Sequence, residues 1–517
     1  MADTEAYLAN IGVISLGCDK NRVDTEYMLA ALEERGHKIV QDETKADVMI
    51  VNTCAFLNSA RKESIDTVLE AAALKKTGLQ KLIVTGCLPQ KYRGELEAEL
   101  HEVDAFLGVR DYGGIADTVD RLMSQTAAEE SKAEAVENAL QSPQKGVGIQ
   151  PHSKNVFSAS AGAVRTDGAP ETALRTDSGT NNAPETALRK DSGDFAASED
   201  FNRKHGESRE KLFTRTLTTP PHYAYLRIAD GCNNACSYCL IPSIRGSYRS
   251  RPEQDILAEA RDLVDGGVKE LVLVAQDVTR YGTDMGGRAL VPLIQKLTQI
   301  PGLHLVRLLY CYPEMVSDAL IEEIAQNPKV AKYIDIPFQH VHDRILKDMG
   351  RAATHKGILA LMQKLRQRVP GIAVRSTFIV GFPGETEEEH RALLEFLSAQ
   401  EIDHAGFFAY SREDGTRAAK LPGQLPQRTK RARLKECAAV QAEVVRRLNR
   451  ARIGSTLDVI CDGIDFDRQC FYGRHQGQCP GVDTVVRFRS PFPIDSGEIY
   501  KVKITRAGFD LFGKAIE

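Results

Sequence analysis

The chain has 517 residues, 27% of them charged and 42% hydrophobic, and a formal net charge of -4. These values exclude collagen-like and wholly disordered chains, and the charge excludes a strongly basic nucleic-acid binder by bulk electrostatics. No apolar run approaches the roughly 18–20 residues that span a bilayer. The start MADTEAYLAN has neither a basic nor an apolar leader region, so a cytoplasmic protein without a membrane partner is expected.

Residues 1–125 alternate apolar runs with amphipathic stretches. IGVISLGC (11–18), DVMIVNTC (47–54) and KLIVTGC (81–87) read as strands, with helices at VDTEYMLAALEERG (23–36) and ARKESIDTVLEAAALKK (60–76). The alternation predicts an α/β domain with a parallel sheet and crossover helices. Each strand ends in a cysteine, namely Cys18, Cys54 and Cys87. Ligands of open α/β sheets sit at the carboxyl ends of strands, so the three thiols are expected to meet at one sheet edge.

Residues 126–215 are rich in Ala, Ser, Gly, Asn, Glu and Thr and contain an imperfect repeat, APETALRTDSG (169–179) and APETALRKDSG (183–193). Such composition buries too little apolar surface to offset ordering entropy, and a low-complexity disordered insertion is expected. From 216 to 450 six strand runs alternate with helical stretches: 223–232, 269–277, 304–313, 333–340, 373–384 and 404–411. They predict a partial TIM-type (β/α)6 barrel, with polar and glycine residues after each strand, where barrel sites are built. A basic amphipathic helix (426–454) leads to residues 451–517, whose period-two runs predict a small antiparallel β-barrel. Nine Lys/Arg balance nine Asp/Glu between 452 and 517.

There are eleven cysteines, an odd number, spaced unlike a secreted disulfide scaffold. In a reducing compartment clustered thiols read as ligands or catalytic groups. Cys232, Cys236 and Cys239, in DGCNNACSYCLIPSIRG, lie on one loop after the first barrel strand. Three thiolates can reach three irons of a cubane cluster, leaving the fourth iron open as catalytic metal sites require. A zinc site completed by a distant cysteine or histidine is the plainer alternative, although no second C-x2–4-C pair exists. For Cys18, Cys54 and Cys87 the plainer alternative is burial as core thiols. Cys311, Cys437, Cys461, Cys470 and Cys479 show no ligand spacing and read as structural.

The CxxxCxxC loop opening a partial barrel resembles the radical S-adenosylmethionine (SAM) superfamily. The resemblance implies that SAM chelates the open iron and is cleaved by the cluster's electron to methionine and a 5′-deoxyadenosyl radical. TFIVGFPGETEEE (377–389) resembles the superfamily's strand-five motif, implying SAM contacts at Gly381, Pro383, Gly384 and Glu385. By the same analogy Tyr238 stacks on adenine, and Gln276 or Asp277 positions the SAM amino group or ribose. Arg245 and Arg249 are candidates to pair with a carboxylate of SAM or of the target, and Gln339-His340 to touch either. Arginines that are solvated or bound to loop carbonyls, a polar helix cap and a hydrogen-bonded structural histidine are the plainer readings.

A three-cysteine α/β domain, a radical SAM barrel and a small TRAM-like β-barrel together resemble the methylthiotransferases. This implies a second 4Fe–4S cluster on Cys18, Cys54 and Cys87. LGCDKNRVDTE (16–26), DIPFQHVHDRILKDMGR (335–351) and YSREDGTRAAKLPGQLP (410–426) resemble the RimO type. That type implies methylthiolation of an aspartate β-carbon in the twelfth protein of the small ribosomal subunit. The reaction would use two SAM, a reductase or other electron donor and a sulfur source, in a monomeric enzyme. The match departs at Asp19, where proline is usual, and at Ala55, where glycine is usual. The sequence assigns no catalytic residue, and a radical is required because general acid–base catalysis contributes only about 10²–10⁴-fold, too little for an unactivated carbon. The rivals are a transfer RNA methylthiotransferase and a non-catalytic iron–sulfur carrier or redox sensor. The neutral C-terminal barrel argues against the first.

Overall fold

The computed structural model describes residues 8–141 and 215–516. The chain divides into two compact units, 1–128 with 213–517 and 129–212. Of the second, the described residues are 129–141, the end of the helix α4 (Ile115–Gln141). The first unit carries an N-terminal parallel sheet, a set of six barrel strands and a small closed C-terminal barrel.

The N-terminal sheet contains β1 (Asn10–Ser15), β2 (Lys38–Ile39), β3 (Val48–Thr53), β4 (Lys81–Gly86) and β5 (Ala105–Gly108). All are parallel, in the order β2-β1-β3-β4-β5, as the alternation of elements requires. The helices α1 (Asp19–Glu34), α2 (Asn58–Ala73) and α3 (Cys87–Glu99) follow β1, β3 and β4. Along β3 alternate side chains enter opposite layers, Met49 and Val51 one way and Val48 and Ile50 the other. A strand covered on both faces reads as a continuous apolar run, which is why β3 and β4 are legible in sequence. The expected insertion at 126–215 is corrected at its start, because α4 continues through 126–141. That stretch, TAAEESKAEAVENALQ, is dominated by strong helix formers. The remainder of that expectation, 142–214, lies outside the described residues.

The six barrel strands are β6 (Tyr223–Arg227), β9 (Glu270–Val274), β10 (Leu305–Leu308), β11 (Tyr333–Asp335), β12 (Ala373–Val380) and β13 (His404–Ala409). A short antiparallel pair, β7 (Ala229–Asp230) and β8 (Arg249–Ser250), lies between the first two. The six form two three-stranded parallel sheets, β10-β9-β6 and β11-β12-β13, tied by a parallel bridge between Val306 and Val330. The barrel is thus an open arc. Ala224, Leu226, Leu271 and Leu273 face the helices, whereas Tyr223, Tyr225, Val272 and Val274 face inward. The inward layer also takes in Val23 and Tyr27 of α1 and Cys479 of the C-terminal domain. Both flanking domains therefore supply side chains to the barrel interior.

The C-terminal domain is a closed barrel of β14 (Thr456–Asp465), β15 (Cys470–Arg474), β16 (Val486–Arg489), β18 (Leu511–Ala515) and β17 (Ile499–Ala507), in that order around it. Four pairings are antiparallel, but β16 and β18 run parallel. The small antiparallel β-barrel of the sequence reading is present, with one parallel pair in it. Five strands cannot close with strict alternation of direction, so one parallel pair is obligatory. Among the described residues no helix is long and apolar enough to cross a membrane.

A buried ion cluster joins the two barrels. Glu270, at the start of β9, accepts from Arg307 Nε and Arg474 Nη1, each at 2.6 Å, and Arg474 also pairs with Asp462 at 2.7 Å. Burial raises the Glu270 pKa, but the two guanidiniums outweigh it and hold the carboxyl down to about 2. A depressed carboxylate pKa stabilises the fold above its unfolded value of 4.5, and the contribution is lost as pH falls toward about 2. Glu270→Gln leaves two buried arginines half paired and is expected to cost about 3–5 kcal/mol. Urea unfolding at pH 7 should show this loss, and the gap to wild type should close in acid.

Candidate functional site

The N-terminal cysteines stand at the carboxyl ends of three adjacent strands. Cys18 precedes α1, Cys54 follows β3 directly, and Cys87 begins α3 after β4. Gly17 has φ +94, and a Cβ there would lie 2.9 Å from Cys54 Cβ, so the absence of a side chain lets these loops approach. Asn21 links all three positions. Its Nδ2 donates to Leu16 O (3.1 Å) and Thr53 O (2.9 Å), and its Oδ1 lies 3.6 Å from Cys87 Sγ. Burial raises the pKa of Cys54 and pushes the Cys87 thiol up to about 12. Such thiols ionise when a metal takes the proton's place.

The second triad lies on the loop after β7. Gly231 has φ +76, and a Cβ there would fall 2.1 Å from Ser247 O. Backbone amides point at two of the sulfurs, Asn234 N at Cys232 Sγ and Ile241 N at Cys239 Sγ, both at 3.4 Å. Cys236 Sγ contacts Tyr312 OH at 3.2 Å and Arg351 Nη1 at 3.9 Å, and the Arg351 guanidinium stacks 4.0 Å from the Tyr312 ring centre. A cavity of about 360 Å³ opens beside Cys232, lined also by Asn233, Asn234, Ala235, Pro242 and Ser247. Among the described residues no three Cys, His, Asp or Glu side chains surround a single ion-sized point. The fit to an iron–sulfur group lies in the chemistry instead: each loop offers three soft thiol donors, and hydrogen-bond donors already face the sulfurs of the second.

Arg245 joins the two triads. It is buried and pairs with Asp24 at 2.8 Å and Asp230 at 3.3 Å, and it donates to Asn21 Oδ1 at 2.8 Å. Both the solvated and the ligand-pairing expectations for Arg245 are thereby corrected, because its charge is used between domains. Arg249 sits on β8 with its side chain exposed. Burial pushes the Asp230 pKa up, but Arg245 and Arg227 outweigh it and hold it below the usual carboxylate value.

Tyr238 is half-buried against Phe382, Tyr410, Ile345 and Met349, which brings the cysteine loop and the Gly381-Phe382-Pro383-Gly384 turn together. Gly381 takes φ +70 and Gly384 φ +75, and Gly384 N donates to Gly423 O. Glu385 turns under this loop rather than over it. Its Oε2 accepts from Gly381 N and Phe382 N, and its carboxylate faces His340 and Arg433. Its place is that of a brace, and His340, fully buried, shares that role. Thr386 caps the helix Glu387–Gln400 in a capping box with Glu389, as the sequence indicates. Gln276 donates to Asp230 at 3.1 Å and keeps a buried Oε1 that has no partner among the described residues, a spare acceptor. Asp277 accepts from Thr279 N, which is the polar-cap alternative.

Residues 10–108 match the uncharacterized protein family UPF0004, residues 226–397 the radical SAM superfamily and residues 453–516 the TRAM domain. The ribosomal protein uS12 methylthiotransferase RimO of Geobacter sulfurreducens is 40% identical over 510 residues, 98% of this chain and 98% of that protein. Its namesake from Thermoanaerobacter sp. is 38% identical, over 98% of this chain and 100% of that one. The chain belongs to this methylthiotransferase family. Among solved structures, the radical SAM methyltransferase TsrM of Kitasatospora setae overlaps 77% of this chain and 74% of its own, at 13% identity and a TM-score of 0.45. Membership of the radical SAM superfamily implies a 4Fe–4S cluster and SAM.

Sequence reasoning passed over Asn21, Tyr312 and Arg351. Asn21 carried a faint signal, standing three residues after Cys18, but the other two meet Cys236 from 76 and 115 residues away. Gly231→Ala forces a side chain onto Ser247 O and a left-handed backbone that costs about 1–2 kcal/mol by itself. Its melting temperature is expected to fall by several degrees. Iron analysis of the purified variant should show reduced content.

Proposed function

We propose that this chain methylthiolates the β-carbon of an aspartate in the small-subunit ribosomal protein uS12. The observation that carries the reading is similarity of 38–40% along 98% of the chain to uS12 methylthiotransferases. The geometry supports it, since two cysteine triads stand at the ends of neighbouring parallel sheets and share Arg245 as a buried strut.

In this reading Cys232, Cys236 and Cys239 hold one 4Fe–4S cluster and Cys18, Cys54 and Cys87 a second. Bound clusters and SAM supply a radical able to take hydrogen from an unactivated carbon, together with the methylated sulfur that replaces it. The chain's own residues position and shield. Tyr238 and the Gly381–Gly384 turn form one wall for SAM. Gln276 Oε1, buried and without a partner among the described residues, offers an acceptor for an ammonium group. Tyr312 and Arg351 face Cys236, where hydrogen bonds and positive charge favour the more reduced cluster. The ion pairs between α1 and the barrel fix how far apart the two triads stand. An external electron donor and a sulfur source complete the reaction.

The test is anaerobic reconstitution with SAM, dithionite and uS12. A gain of about 46 Da on one aspartate, a methylthio group replacing hydrogen, is the expected product of this radical chemistry. If 5′-deoxyadenosine forms while uS12 keeps its mass, the substrate assignment fails and transfer RNA is the next candidate. Cys232→Ala is expected to abolish 5′-deoxyadenosine formation. Cys54→Ala is expected to retain it and lose methylthio transfer, which chromatography and mass spectrometry of the same reactions would show.

A further inference from the structure

Lys20 stands two residues after Cys18, in the first turn of α1, and exposes 6% of its surface. Its ammonium rests 3.2 Å from the centre of the Tyr310 ring. Among the described residues it makes no hydrogen bond and no ion pair, and its interactions are those of charge at longer range with Cys18, Asp19, Arg245 and Asp335. An ammonium has three donors, and buried charges are ordinarily paired. Here the nearby carboxylates are already engaged. Asp19 accepts from Tyr310 OH at 3.0 Å, while Asp335 accepts from Arg375 Nη1 at 3.0 Å and from Tyr310 N at 2.9 Å.

Tyr310 has φ +61, a left-handed conformation rare in a residue of this bulk. Its amide and hydroxyl are both tied to these carboxylates, and its ring lies under the ammonium. Strain of this kind persists where surrounding bonds over-determine it, and it concentrates at binding sites. The location is equally specific. Lys20 belongs to the cysteine-bearing sheet domain, whereas Tyr310 and Asp335 stand at the carboxyl ends of β10 and β11, where barrel sites are built. A cation with unused donors thus sits between the two halves of the site.

Resting on the uS12 reading, in which the reacting side chain is itself a carboxylate, we infer that Lys20 binds the carboxylate of the target aspartate. Tyr310 holds the lysine in place. In aspartate the carboxylate carbon is bonded to the β-carbon, so capture of one places the other. An anionic sulfur group at Cys18, Cys54 and Cys87 shares the same chemistry, and the experiment separates the two.

Wild-type reconstituted protein first identifies the modified aspartate by mass. The Kd of uS12 and of its variant with asparagine at that position is then measured by fluorescence anisotropy. A charge-assisted hydrogen bond gives wild type a preference for aspartate on the order of 10–100-fold. Lys20→Met is expected to abolish that preference and lower kcat/KM by a similar factor, mostly through KM. Lys20→Arg should keep part of the preference. Iron and sulfide content and the electron paramagnetic resonance spectra of Lys20→Met should match wild type. If Lys20→Met keeps the aspartate preference, the inference is overturned. An altered spectrum together with a kept preference overturns it in favour of a counter-ion to the N-terminal cysteines. Wild-type protein that cleaves SAM but leaves uS12 unmodified overturns the functional reading itself, and this inference with it.

Discussion

Asp24 and Glu26, on one turn of α1, face a set of buried arginines from the barrel side of the molecule. Asp24 pairs with Arg227 and Arg245; Glu26 pairs with Arg215 at 3.0 Å; Arg215 and Arg251 then meet Glu259 at 2.6 and 2.7 Å. Removing such charges from water costs several kcal/mol per ion, and mutual pairing offsets this only in a narrow range of geometries. A hydrophobic seam tolerates sliding; this one admits a single docking. Asp24 follows Cys18 by six residues and Arg245 follows Cys239 by six, so the seam ties the two cysteine loops by short covalent routes. The relation between the triads, on which any reaction requiring both depends, is set here.

Much of the architecture was legible because burial on two faces writes continuous apolar runs. β3, β4 and the barrel strands β6, β9, β10 and β11 follow that rule, whereas β12 alternates and β13 is only half-buried. β2 and β5, with two and four residues, are too short to leave a pattern. The helix through 126–141 was hidden by composition, since Ala, Glu and Lys read as low complexity when no apolar stripe accompanies them. The parallel β16–β18 pairing leaves no mark in the sequence, because it follows from closing an odd number of strands.

The site was legible where chemistry is local. Cysteines at strand ends and a glycine-rich turn before a capped helix are short-range patterns. Arg245 was misread because its partner Asp24 lies 221 residues away. The sequence places Glu385 beside the G-x-P-G turn, but gives no hint that two backbone amides of that turn draw its carboxylate beneath the loop. Tyr310 gives no sequence sign of its backbone, which is imposed by Asp335 and Asp19 from two different domains.

The ionic seam also bears on how the protein comes apart. Cut from its neighbour, the N-terminal sheet would present Asp24 and Glu26 to solvent without their arginines, and on the barrel Arg215 and Arg245 would each lose one carboxylate and Arg227 its Asp24. Val23 and Tyr27 would leave the barrel lining at the same moment. Neither piece is therefore a module in the thermodynamic sense, however distinct the two sheets look. Their melting is coupled, and a lineage that exchanged one for a foreign counterpart would have to change both faces together.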